Sequence, residues 1–279
     1  MLMCIIRGME LSGTLELKLE HLYRYLSELE SVLVCYSGGL NSTLLLYASR
    51  KVLGDNAEAI YFNSPIIPYY LQREAAEEAK LLNVKLTVVA MPSLNSSVFY
   101  SNPENRCHLC KHGFITKSLN MAARFDINAV VDGTTGESPG RHCQNKISIK
   151  GLSVKSPFDE LGITKVGIRT ISRYLALSTW NKSPFFCLMT HFKHGTIVDE
   201  KMLLTVELAE NFLNTHGFKY YKVWHDGKIA KLKLGANETI AAIGKMRKNI
   251  SDYFKTLGFE SAYVLDYHRP KDMSEIKIF

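Results

Sequence analysis

The sequence predicts an α/β fold, a parallel sheet with helices on both faces, joined to a smaller C-terminal α+β domain. Three observations carry this. Short apolar runs alternate with helical stretches through the first part of the chain, the order of a βαβ protein. The first strand-like run ends in a glycine turn, "VLVCYSGGLNST" from Val32 to Thr43. Beyond Ile163 the alternation stops, and helices flank a hairpin signal instead.

Each element follows from its residues. Leu15, Leu19, Leu22, Leu26 and Leu29 recur at spacings of four and three, one face of a helix. Val32–Tyr36 is an apolar strand, and Thr43–Leu53 a helix stopped near Gly54. Glu58–Phe62 reads as a strand, Tyr69–Leu82 as a helix rich in Glu, Ala and Lys, and Val84–Ala90 as a strand. Phe114–Arg124 is a helix and Ala129–Val131 a short buried strand. Thr164 caps a helix running to Leu175, and Ser178–Gly195 is irregular. Asp199–Thr215 is helical, Tyr220–Trp224 and Ile229–Leu234 form a hairpin around Asp226-Gly227, and Ile240–Leu257 is one helix before a last strand, Ser261–Asp266. The division expected is residues 1–164 and 165–279. A ligand of such a sheet lies at the carboxyl ends of its strands.

Composition limits the classes available. With 46% hydrophobic residues in 279, the chain can bury a large core, and 22% charged residues without a polar tract argues against broad disorder. The 34 Lys and Arg against 27 Asp and Glu leave a net +7, which suits acidic ligands such as nucleotides or RNA. The apolar run in "MLMCIIRG" is too short for a signal peptide, and no stretch reaches membrane-span length. The expectation is a cytoplasmic protein whose six cysteines are reduced, catalytic or metal-bound.

At the glycine turn, Gly38 and Gly39 permit a tight bend and close approach by a ligand. The helix that follows offers unpaired N–H groups and the positive end of its dipole. Ser37, Ser42 and Thr43 add hydroxyls, so the turn predicts a phosphate cradle; the plainer reading is a capped strand–helix turn. No Gly-Lys-Ser/Thr end is present, which excludes a Walker loop.

The string resembles the SGGxDS signature of the PP-loop ATP pyrophosphatases, which implies an adenine nucleotide alpha hydrolase-like fold. The resemblance narrows further along the chain. "NPENRCHLCK" (Asn102 to Lys111), "VVDGTTGESPG" (Val130 to Gly140), "VKSPFDELGITKVGIR", "STWNKSPFFCLMTHFKHG" and "GFESAYVLDYHRP" are similar, in order, to segments of the LarE-type sulfur transferases. Those enzymes thiolate a pyridinium nucleotide of the nickel-pincer cofactor. The resemblance implies that the turn grips the pyrophosphate end of ATP with Mg2+, and that the reaction is an ATP-dependent carboxylate adenylation followed by replacement of oxygen with sulfur. On it, Ser37, Gly38, Gly39, Asn41, Ser42 and Thr43 bind ATP, and Lys182 and Lys222 bind substrate phosphate. Asn63, Ser64, Gly133 and Thr134, at strand ends on the same rim, are the further candidates for the nucleotide, and Arg106 and His191 for supplying positive charge. It also implies a small-molecule nucleotide substrate and a homo-oligomer. Three departures stand out. Asn41 replaces the family's aspartate and supplies no carboxylate to magnesium. Gly136 and Glu137 occupy the place of an acidic pair, and Lys222 and Trp224 that of an Arg-x-Arg pair.

Cys107-x-x-Cys110, placed just before the predicted helix, offers two thiols that can share a metal or cluster or act as a redox pair. No second Cys-x-x-Cys accompanies it, which argues against a four-cysteine zinc site. Cys187 reads either as a packing residue beside Phe185 and Phe186 or as a reactive thiol. The resemblance implies that Cys187 carries the sulfur and that Cys107, Cys110 and Cys187 together hold a [4Fe–4S] cluster. Cys4 and Cys35 read as structural, and Trp180 as a core anchor. Two rival readings remain: a tRNA-thiolating enzyme, for which no RNA-binding module is visible, and a nucleotide-binding homologue of reduced activity, motivated by Asn41.

Overall fold

The computed structural model describes residues 11–91, 101–137, 148–149, 152–182, 187–265 and 275–279. Cys4, Cys143, residues 138–140 of the Asp-Gly-Thr stretch, residues 183–186 before Cys187 and residues 266–270 of the last motif lie outside the described residues. Contacts divide the chain into two units. The first comprises Met1–Ser64, Tyr69–Met91 and Asn105–Phe185; the second comprises Pro65–Pro68, Pro92–Glu104 and Phe186–Phe279.

In the first unit the order is α1 (Gly13–Ser27), β1 (Val32–Tyr36), α2 (Leu40–Leu53), β2 (Ala57–Asn63), α3 (Tyr69–Leu81), β3 (Lys85–Ala90), α4 (Arg106–Arg124) and β4 (Ala129–Val131). Then follow β5 (Ser148–Ile149), β6 (Leu152–Lys155), α5 (Pro157–Glu160) and α6 (Lys165–Tyr174). The sheet runs β3-β2-β1-β4-β6-β5, with β1, β2, β3, β4 and β6 parallel and β5 antiparallel to β6. β1 sits inside it and is buried on both faces, which is why its sequence is continuously apolar rather than alternating. Val32, Val34 and Tyr36 face a core built with Leu22 and Leu26 of α1, Leu44 to Leu46 of α2, Ala75 of α3 and Ile168 of α6. Leu33 faces the opposite core, with Ile115 and Leu119 of α4. The fold class the sequence predicts is the one observed.

The second unit holds α7 (Glu200–Thr215), β7 (Tyr221–Asp226), β8 (Ile229–Leu234), α8 (Ala236–Ile243), α9 (Arg247–Thr256), β9 (Ser261–Leu265) and β10 (Glu275–Lys277). Its sheet runs β10-β9-β8-β7. β7 and β8 form the expected hairpin, turned at Gly227 with φ +62°, and β8 pairs in parallel with β9. Leu213, Val223, Leu232, Ile250, Phe254 and Val264 fill its core. Among the described residues no helix is long and apolar enough to cross a membrane.

Two element predictions are corrected. α4 begins at Arg106, so Cys107 and Cys110 lie inside the helix and not before it. Its first two turns are too polar to show an apolar period. The helix expected over Ile240–Leu257 is two helices, because Gly244 adopts a non-helical backbone (φ −100°, ψ −114°) and ends α8.

Candidate functional site

The strand order reverses between β1 and β4. Strands on one side of β1 come earlier in sequence than those on the other, which makes the β1/β4 exit a topological switch point, where open parallel sheets bind ligands. Ser37 to Gly39 leave β1 there and lead into α2. Gly38 has φ +69°, and a Cβ on it would lie 2.6 Å from the Ala75 Cβ, so the turn presses against α3 with no room for a side chain. Gly39 is extended and caps α2. Ser42 Oγ accepts the Ser37 N–H at 3.3 Å, lies 3.0 Å from Ser37 Oγ and donates to the Gly39 carbonyl at 3.2 Å. These bonds stiffen the turn. The first N–H groups of α2 lack intrahelical partners by construction and, with the dipole, favour an anion.

Across the switch point, Asn41 Nδ2 donates to the Gly133 carbonyl at 2.8 Å. Gly133 must be glycine for this approach, since its Cβ would sit 2.9 Å from that of Asn41. The sequence reading missed Asp132, one residue earlier. It accepts Thr134 N at 3.1 Å, Thr134 Oγ1 at 2.8 Å and Ser156 Oγ at 2.8 Å. Burial raises its carboxyl above the usual range, while the Ser156 and Thr134 bonds and the Lys111 charge pull the other way. The signal for it was the Asp-x-Thr spacing, a side chain folding back on the backbone two residues on. Both Asp132 oxygens are occupied in closing the β4 exit. Glu137, at the place of the acidic pair, accepts the Lys165 N–H at 2.9 Å at the start of α6.

Lys182 reaches the turn. Its Nζ donates to the Gly38 carbonyl at 3.0 Å and pairs with Glu74 at 2.9 Å. Beside it lies a cleft of about 400 Å³ lined by Glu74, Glu78, Ser178, Thr179, Asn181 and Lys182. Asn63, exposed, ends β2, and Ser64, buried, follows it on the same edge of the sheet. Trp180 is half-buried, with the Arg173 guanidinium 5.0 Å from its ring centre. Cys35 fits its structural reading: its thiol donates to Ser118 Oγ at 3.4 Å, and burial pushes it up to about 12. At the start of α4, Arg106 is buried, Cys107 exposed and Cys110 half-buried. Residues at i and i+3 share a helix face, so the two thiols lie on one side of that first turn.

The second unit assembles Cys187, His191 and Lys222. Cys187 leads into a 3-10 turn, Leu188–His191, and its carbonyl accepts the Thr190 N–H at 2.8 Å and Thr190 Oγ1 at 2.7 Å. Lys222 Nζ donates to Thr190 Oγ1 at 3.0 Å and lies 5.4 Å from the Trp224 ring centre. His191 is buried; its Nδ1 is 2.9 Å from the Val223 carbonyl, which makes Nδ1 the donor, and 3.3 Å from Glu210 Oε1. Glu210, also missed from sequence, accepts the Val223 N–H at 3.0 Å. Burial pushes its carboxyl up to about 7 against that bond and the Lys222 charge. A carboxyl so raised keeps its proton to higher pH than an ordinary glutamate, which weakens its pairing with His191.

Cys107 and Cys110 belong to the first unit and Cys187 to the second; none is in a disulfide. Among the described residues no group of three or more His, Cys, Asp or Glu side chains is placed to hold a metal ion.

No family model matches the chain. It is 32% identical over 221 residues to slr1717, an uncharacterized protein of Synechocystis, covering 79% of this chain and 82% of that one. It is 26% identical over 223 residues to the pyridinium-3,5-bisthiocarboxylic acid mononucleotide synthase of Lactiplantibacillus plantarum, covering 80% and 81%. It is 25% identical over 240 residues to MJ0830, an uncharacterized protein of Methanocaldococcus jannaschii, covering 84% and 89%.

Proposed function

We propose that this chain, which belongs to the same family as the Synechocystis protein slr1717, is an ATP-dependent sulfur transferase acting on a small nucleotide carboxylate. The similarity to the L. plantarum synthase, along four-fifths of both chains, carries the reading. The donor-lined turn at the switch point supports it, because that is where a phosphate chain would meet oriented N–H groups.

A carboxylate oxygen attacks the α-phosphorus of ATP, the α–β bond breaks, and pyrophosphate leaves with the bond's electron pair. The turn from Ser37 to Thr43 holds that departing group by oriented donors, an electrostatic and positional role. Sulfur then attacks the adenylated carbon, and AMP leaves. Lys182 and Lys222 supply positive charge to phosphate as compact ammonium groups, without the bidentate fork of arginine. Arg106 and His191 are the further candidates for that charge; His191 Nδ1 is committed to the Val223 carbonyl.

Three thiols suit an iron–sulfur cluster as soft donors, and the shared face of Cys107 and Cys110 fits two ligands of one. Cys187 would be the third. When bound, such a cluster would supply sulfide to the acceptor. The +7 charge also suits RNA, but nothing among the described residues favours RNA over a small nucleotide. One observation favours a weakened nucleotide-binding homologue: Asn41 offers no carboxylate, and Asp132 spends its own on Thr134 and Ser156.

The test is anaerobic incubation with ATP and Mg2+, with and without pyridinium dicarboxylate mononucleotide. Mass spectrometry is expected to find AMP together with a product in which one oxygen is exchanged for sulfur. Bound ATP with no AMP would establish the weakened homologue, and thiolated nucleosides from a tRNA digest would establish the RNA enzyme.

A further inference from the structure

Asn102 occupies a costly position. It is fully buried, its φ is +47°, and Pro103 follows it. A left-handed backbone is unfavourable for a residue with a Cβ, and a following proline restricts it further. Such a residue persists only where its surroundings over-determine it. Here they do. Asn102 Nδ2 donates to the Phe192 carbonyl at 3.3 Å and the Lys193 carbonyl at 3.0 Å. Its own carbonyl accepts the Gly195 N–H at 3.0 Å.

The clasped segment is the one that leaves the Leu188–His191 turn, and Cys187 leads into that turn. Few residues meet these demands. Asparagine tolerates the left-handed region better than other residues with a Cβ. Its short amide also turns two N–H donors toward two adjacent carbonyls, where aspartate would set a carboxylate against them.

We infer that Asn102 is the positioning residue for Cys187: it pins the backbone that follows the thiol and so fixes where the thiol is presented. The inference rests on reading Cys187 as the sulfur-bearing residue. Asn102 acts through residues 192–195 and not on substrate.

Asn102→Gly keeps the left-handed backbone and the Gly195 bond while deleting both amide donors. Asn102→Asp deletes them without adding backbone freedom. Iodoacetamide labelling of the reduced protein, mapped to each cysteine by mass spectrometry, is expected to quicken at Cys187 on the order of tenfold in either variant, since a lost buried hydrogen bond eases local opening by about that much. Labelling of Cys35 and amide exchange in β8 are expected to stay at wild-type rates. Unchanged labelling of Cys187 overturns the inference. Faster β8 exchange also overturns it, because Asn102 then supports the whole unit. Iron content and thio product, measured in parallel, separate the two readings. Wild-type protein that takes up no iron and makes no product removes the enzyme reading, while the labelling contrast still decides the clasp. Normal product with unchanged labelling removes the clasp alone.

Discussion

At Gly38 one hydrogen atom in place of a side chain decides the shape of the turn. The residue needs both a positive φ and the space a Cβ would fill, since that atom would meet Ala75 at 2.6 Å. Gly38→Ala therefore meets two penalties: about 1–2 kcal/mol for the left-handed backbone, and about 1–3 kcal/mol for forcing α3 away. The carbonyl that receives Lys182 moves with it. The expected outcome is a lower denaturation midpoint and no measurable pyrophosphate binding by calorimetry; wild-type affinity would show that the turn is not the phosphate cradle. Much of this residue's role was legible, because two glycines after an apolar run signal a tight exit. Asn102 and Asp132 were not. Their roles lie in bonds to Phe192, Lys193 and Ser156, partners set by tertiary structure rather than by local spacing.

Elements were legible where burial leaves an apolar run or an apolar period. β1 reads as a strand because both faces are covered, and α1 because Leu19, Leu22 and Leu26 line one side. The start of α4 was hidden, since Cys107, His108, Lys111 and His112 put polar groups all round it. The junction of α7 with β7 was hidden for another reason: Glu210 looks like any exposed helix glutamate, yet it folds under the Val223 N–H. Its carboxyl, normally near 4.5, is pushed up to about 7 by burial, with His191 and Lys222 beside it. The folded chain thus holds this proton more tightly than the unfolded chain does. The stabilisation is complete below the unfolded value and is lost as pH rises through about 7. At about 1.4 kcal/mol per unit, the loss is about 3 kcal/mol. Glu210→Gln keeps an acceptor for the Val223 N–H and cannot ionise. Urea unfolding at pH 5 and pH 8 is expected to show wild type losing about 3 kcal/mol more than the variant over that interval. Parallel pH profiles would mean that Glu210 is ionised in the folded chain throughout.

For the whole molecule, the question is whether charge or geometry selects the ligand. A net +7 attracts any polyanion, but that attraction acts through solvent and is screened within about 3 Å at 1 M salt. The donors of the turn act at contact distance. They belong entirely to the first unit, and their supports are the Ser37–Ser42 bonds and the Asn41–Gly133 bridge. Geometry therefore predicts a local, salt-tolerant response. At a hundredfold excess over its dissociation constant, pyrophosphate stabilises the state that binds it by about 2.7 kcal/mol. Hydrogen exchange is expected to register that protection in β1, α2 and the β4 exit, to leave β7 to β9 unchanged, and to persist when salt is raised. Protection spread across basic surfaces of both units and erased by salt would instead mark a general polyanion binder. It would return the +7 charge, rather than the turn at the switch point, to the centre of the argument.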